Sequence, residues 1–226
     1  AAGHTGPLPT ANFLAISGGG EDGAFGAGLL VGWSEAGTRP EFKMVTGIST
    51  GALSAPFAFL GPDYDAQLKE VYTGISAKDV LKKRGITAAI FDDALTDNAP
   101  LRKLVAHYVT EDMLKAIAAE DEKGRVLLIG TTNLDARRPV VWNVTKIAAH
   151  GGPEALELVR DLLVASAAIP AAFPPTMIDV DVNGQAYQEM HVDGGASAQV
   201  FVYPTSLHVA QLSKQEHVTR ERRAYV

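Results

Sequence analysis

FKMVTGISTGALSAPFAFL, residues 42–60, is the stretch whose reading decides the fold. Phe42–Thr46 reads as a buried strand, and the apolar run from Ala52 to Leu60 reads as a helix. Between them Gly47-Ile48-Ser49-Thr50-Gly51 fits Gly-x-Ser-x-Gly, the turn that carries a nucleophilic serine from a strand into a helix. That turn is tight enough to need small residues beside the serine, and Gly47 and Gly51 supply the room. A serine at a helix N-terminus also has the positive end of the helix dipole beneath it, which favours negative charge developing at the reacting centre. In a chain with 22 glycines the pentapeptide arises readily by chance, so its weight comes from the strand-turn-helix setting.

Upstream, residues 12–17 read as a short buried strand that runs into Ser17-Gly18-Gly19-Gly20-Glu21-Asp22-Gly23. A helix is predicted from about Ala24 to Ser34. Its small residues Gly23, Gly26, Ala27, Gly28 and Gly32 predict close approach to a sheet, despite the propensity cost of glycine. The consecutive amides of Gly18, Gly19 and Gly20, unobstructed at a helix entrance, form a cradle for an anion: a phosphate, or the oxyanion of a tetrahedral intermediate. Gly18-x-Gly20-x-x-Gly23 also satisfies the dinucleotide fingerprint, which keeps a nucleotide-binding module among the readings. That fingerprint asks for an acidic residue after the second strand, and here the second strand runs into the Ser49 turn.

Downstream, the segment from Gly61 to Lys123 is more polar. One helix is predicted to begin near Thr96 to Asn98 and another after Thr110. Residues 125–131 form a near-continuous apolar strand of the kind covered on both faces, with Val140–Val144 as a neighbour. An amphipathic helix over Ala155–Ala168 follows Pro153. The last strand, Ala186–Val192, delivers Asp193-Gly194-Gly195. Alone, that tripeptide makes a turn readily; beside a nucleophile and an anion cradle, Asp193 reads as the base that takes the Ser49 proton. His191 shares the Asp193 face of its strand and reads as a packed or hydrogen-bonded neighbour. A conventional α/β-hydrolase would instead place a catalytic histidine late in the chain, where His208 and His217 stand. Phe25, Phe57, Phe59 and Phe173 flank these motifs as candidate acyl-pocket linings.

Strands alternating with helices indicate a layered α/β domain, a single unit over residues 1–226 with an extended segment at 1–11 and a polar tail at 212–226. The 226 residues are 46% hydrophobic and carry a net charge of −6, which argues against a nucleic-acid surface. There is no cysteine, so disulfides and thiolate chemistry are excluded. No His, Asp and Glu spacing resembles a metal site, and no cofactor is called for. The small, Pro/Gly-rich start at Ala1 is what removal of an export signal leaves, and equally what a trimmed sequence leaves; export to the periplasm or beyond is favoured over the cytoplasm. Oligomeric state is not legible.

Together the Ser49, Gly18–Gly20 and Asp193 blocks resemble the patatin-like phospholipase family, lipid acyl hydrolases with a Ser-Asp dyad. Ala165-Ser166-Ala167-Ala168-Ile169-Pro170-Ala171-Ala172-Phe173-Pro174-Pro175 resembles a fourth family block, and Asp97–Arg102 and Thr131–Asp135 are fainter echoes. The resemblance runs from about Phe13 to Gly195. It implies a three-layer α/β/α sandwich with a mostly parallel central sheet, Ser49 as nucleophile, Asp193 as its base, and the Gly18, Gly19 and Gly20 amides as oxyanion hole. It also implies a lipid or other ester as substrate, with peripheral membrane contact. Where the family commonly has Arg or Lys in the glycine-rich loop, this chain has Asp22 after Glu21, which favours simple esters or neutral acylglycerols over anionic head groups. The chain ends soon after Gly195, so late lid or pocket elements of the family are expected to be missing.

Overall fold

The computed structural model describes residues 8–74, 98–204 and 219–226. Its strands are β1 (Ala11–Ile16), β2 (Phe42–Ile48), β3 (Val126–Asn133), β4 (Arg138–Asn143), β5 (Thr176–Val182), β6 (Gln185–Asp193) and β7 (Arg222–Tyr225). Its helices are α1 (Gly23–Glu35), α2 (Thr50–Leu60), α3 (Asp65–Thr73), α4 (Ala99–Tyr108), α5 (Glu111–Glu122), α6 (Val144–His150) and α7 (Gly152–Ser166).

One sheet organises these elements, in the order β5-β6-β3-β2-β1-β7 with β4 also on β3. The expected parallel sheet is the half formed by β3, β2, β1 and β7. The other strands join antiparallel: β4 and β6 to β3, and β5 to β6. Leu14, Val45, Leu127 and Ile129 project from one face into a core shared with Ala52, Phe57, Phe59, Leu114, Val159 and Leu163 of the helices. On the opposite face Ala15, Thr46, Ile48 and Leu128 are buried as well. There the Thr46 hydroxyl donates to the Phe201 carbonyl.

Pairing register positions the chemistry. β2 runs parallel to β3 and ends with Ile48 opposite Gly130. β4 takes the other edge of β3, from Leu128 to Asn133. The edge left to β6 is therefore the one β2 uses, and β6 occupies it from Asn133 to Thr131, running the opposite way. The two strands abut end to end, Ile48 at Gly130 and Asp193 at Thr131, so the residues that leave them must meet.

Several expectations are corrected. The polar tail at 212–226 contains β7, a parallel edge strand paired with residues 11–14, and residue 11 of the extended N-terminal segment belongs to β1. Tyr225 there packs edge-to-face on Trp33 at 5.1 Å and on Phe42 at 6.0 Å, which gives these polar residues an apolar anchor. Of the α1 glycines only Gly23 serves close packing, against Thr50 and Tyr72; among the described residues a Cβ at Gly26, Gly28 or Gly32 would meet nothing. β5, unforeseen, forms a hairpin with β6 through Asn183 and Gly184, both at positive φ as a two-residue hairpin turn requires. Val144 begins α6 and does not end a strand. Replacing Tyr225 with Ala should lower stability by about 2 kcal/mol, seen as a reduced melting temperature; an unchanged value would mean that β7 adds nothing to the sheet.

Candidate active site

Ser49 stands between β2 and α2 at φ 56° and ψ −128°, a backbone conformation that costs an L-residue about 1–3 kcal/mol. The glycines around it explain how the chain closes so tightly. A Cβ at Gly47 would lie 2.6 Å from the Gly51 carbonyl oxygen, and one at Gly51 would lie 2.6 Å from the Ser17 carbonyl oxygen. The elbow is held from behind by Ser166 at the end of α7. The Ser166 hydroxyl accepts the Ser49 N–H at 3.0 Å and donates to the Gly130 carbonyl at 2.7 Å. At the far end of α2, the carbonyls of Ala58 and Phe59 accept from the guanidinium groups of Arg39 and Arg125. These two cations compensate the negative end of the helix whose positive end lies under Ser49.

The Ser49 hydroxyl donates to Asp193 Oδ2 at 2.5 Å, in the range of a charge-assisted O–H···O bond. Asp193 is fastened on its other side: its Oδ1 accepts the Gly195 N–H at 2.6 Å, and its own N–H donates to the Ala168 carbonyl at 2.9 Å. Its carboxyl is raised above the usual range by burial, an effect that the Ser49 hydroxyl and the Gly195 N–H only partly offset. A hydroxyl that already shares its proton with a carboxylate of raised basicity can attack an electrophilic carbon.

Both residues open into a cavity of about 370 Å³, lined also by Gly18, Gly19, Gly20, Ile169, Pro170 and Gln199. Gly18 is a correction: its N–H donates to the Gln199 carbonyl at 3.2 Å and so is already committed. The Gly19 and Gly20 amides have no such partner among the described residues, and Gly20 needs its positive φ of 57° to turn the chain into α1. Gly18 serves another end, because a Cβ there would stand 2.9 Å from Ser49 Cβ.

Residues 14–205 match the patatin-like phospholipase family. The chain belongs to this family of lipid acyl hydrolases. Among solved structures it resembles VipD from Legionella pneumophila, with a TM-score of 0.50 and 13% identity over 96% of this chain and 50% of VipD. The chain thus spans about half the length of VipD, and the likeness is one of fold. No curated protein matches.

Other residues singled out in this patatin-like chain fall as follows. His191 is fully buried and uses both ring nitrogens, Nδ1 with the Thr131 hydroxyl at 2.9 Å and Nε2 with Glu189 at 3.1 Å. His208 and His217 lie outside the described residues, as does Asp97. None of Phe25, Phe57, Phe59 and Phe173 is among the residues that line the Ser49 cavity: Phe57 and Phe59 are core, and Phe25 is 78% exposed. Among the described residues no group of His, Asp and Glu is arranged to hold a metal. The role of Ser166 was missed; the available signal was one hydroxyl within the apolar run Val164 to Ala168.

A buried carboxyl with a raised pKa favours folding most when protonated. Its contribution is full below the ordinary carboxylate pKa and is lost as pH rises through the raised value of the folded state. Asp193→Asn keeps an acceptor for Gly195 and removes the charge, so it should raise the melting temperature at neutral pH, with the difference vanishing in acid. An equal or lower melting temperature at neutral pH would contradict this reading of the site.

Proposed function

We propose that this chain is a serine acyl hydrolase that cleaves carboxylic ester bonds of lipids through an acyl-enzyme on Ser49, with Asp193 as its acid-base partner. The observation that carries the reading is the 2.5 Å hydrogen bond from Ser49 to a buried carboxylate, inside a cavity that also holds the glycine amides.

Ser49 Oγ attacks the ester carbonyl carbon as its proton passes to Asp193 Oδ2. Negative charge then grows on the former carbonyl oxygen, and the Gly19 and Gly20 N–H groups receive it; such preorganised donors typically contribute 10²–10³ in rate each, roughly. Collapse of the tetrahedral species expels the alkoxide, which takes the proton back from Asp193 and leaves as the alcohol. Water next attacks the acyl carbon while Asp193 accepts one of its protons, and the departing Ser49 oxygen recovers that proton. The cycle ends with a free carboxylic acid and the starting enzyme, without a metal or an organic cofactor.

Both acids of the loop, Glu21 and Asp22, are exposed at the start of α1. Their charge disfavours anionic groups at the cavity mouth and points to neutral acylglycerols, simple esters or zwitterionic phospholipids. Ser49→Ala should lower kcat/KM on a p-nitrophenyl ester by at least about 10³-fold, and mass spectrometry of quenched wild-type protein should find the acyl adduct on the peptide containing Ser49. Undiminished turnover by the variant would refute the assignment.

A further inference from the structure

The sequence of α1, GAFGAGLLVGWSE, holds no ionisable side chain before its final Glu35. A helix apolar on every side is expected to be covered on every side. In this helix only Ala27 and Leu30 are buried, while Phe25 is 78% and Leu29 59% exposed. The exposed positions Ala24, Phe25, Gly28, Leu29 and Gly32 follow one another at the spacing that gathers residues on a single helix face. Among the described residues a Cβ at Gly28 or Gly32 would meet nothing, so the face between the two large exposed side chains is open there too.

The position of the face gives it a use. α1 grows directly out of the Gly18–Asp22 loop, whose glycines line the Ser49 cavity, and Asp22 is the last residue before the helix. Phe25 thus stands in the first turn of the helix that this loop leads into, with Leu29 one turn further on. We propose that this face of α1 is the surface by which the protein settles on an electrically neutral lipid interface, with Phe25 and Leu29 entering the acyl boundary and the cavity mouth held against the lipid.

Charge selects the kind of interface. From Ser17 to Glu35 there is no lysine or arginine, and the ionisable residues are Glu21, Asp22 and Glu35, all exposed acids. A helix built for anionic membranes carries cations on its polar flank; this one carries the opposite sign, within a chain of net charge −6. A phosphatidylcholine surface suits it, because the outermost head-group charge there is a choline cation. Size argues against a second copy of the chain as occupant. Two large side chains among alanine and glycine offer on the order of 300 Å², against about 800 Å² per partner for a standard protein interface. A lipid interface has no such threshold, since each apolar side chain partitions into it on its own.

The proposal rests on the lipid-hydrolase reading for its purpose, but docking is measured without turnover. In the full chain carrying Ser49→Ala, co-sedimentation with phosphatidylcholine vesicles should detect binding. Adding Phe25→Ser and Leu29→Ser should weaken that binding at least about 10-fold, the loss expected for two inserted side chains of this size. Doping the vesicles with phosphatidylglycerol should weaken binding of the parent protein. Thermal melts of both proteins report whether the exposed substitutions leave the fold intact. Equal vesicle binding with and without Phe25 and Leu29 overturns the proposal, as does preference for the anionic vesicles. A dimer that the double substitution dissociates, with vesicle binding unaltered, assigns the face to self-association and also overturns it. Absence of soluble-ester turnover by the wild-type chain, with docking intact, would refute the serine chemistry and leave the docking surface standing.

Discussion

Two strands of opposite direction share one edge of β3, and the site follows from the place where they meet. β2 stops at Ile48 because the chain must turn, and β6 stops at Asp193 one register position further along. Neither end can be moved by a residue without breaking its ladder against β3. The 2.5 Å bond between Ser49 and Asp193 is therefore set by backbone pairing, not by flexible side chains finding each other. The strained φ of Ser49 is the local cost of that arrangement. It is offset by the glycines that let α2 approach β1 and by Ser166, which binds the elbow to Gly130 of the very strand that organises the junction.

Electrostatics complete the picture. Burial makes Asp193 a stronger base than a surface carboxylate, while the hydrogen bonds from Ser49 and Gly195 limit that rise and keep the charged form accessible. α2 contributes its positive end at Ser49, with Arg39 and Arg125 against its opposite end. Gly19 and Gly20 line the same cavity, at the turn into α1.

What the amino-acid sequence disclosed and what it concealed divide along physical lines. The turn at Gly47, Ser49 and Gly51 was legible because a turn this tight restricts residue type within a few positions, and Asp193 because its tripeptide closes a strand. The long apolar strands β1, β2 and β3 were legible for the same reason, since a strand covered on both faces has little choice of composition. β7 was hidden because an edge strand tolerates arginines, and its single apolar anchor, Tyr225, finds Trp33 and Phe42 only through the fold. The β5–β6 hairpin had local signals that were overlooked, the Asn183-Gly184 turn and the alternation Ile178-Asp179-Val180-Asp181-Val182 before it. The commitment of the Gly18 amide to Gln199 could not be foreseen, because it joins segments distant in the chain. The outward face of α1 was misread because small residues serve close packing and open exposure equally well.

The central claim, that a lone buried carboxylate activates Ser49, is tested most directly by the pH dependence of fluorophosphonate labelling in the wild-type and Asp193→Asn proteins. The account predicts modification at Ser49 with a rate that climbs through one ionisation above the usual carboxylate range, and a slow, pH-independent rate once Asp193 is replaced. Labelling of the Asn variant as fast as the wild type, or on another residue, would contradict it.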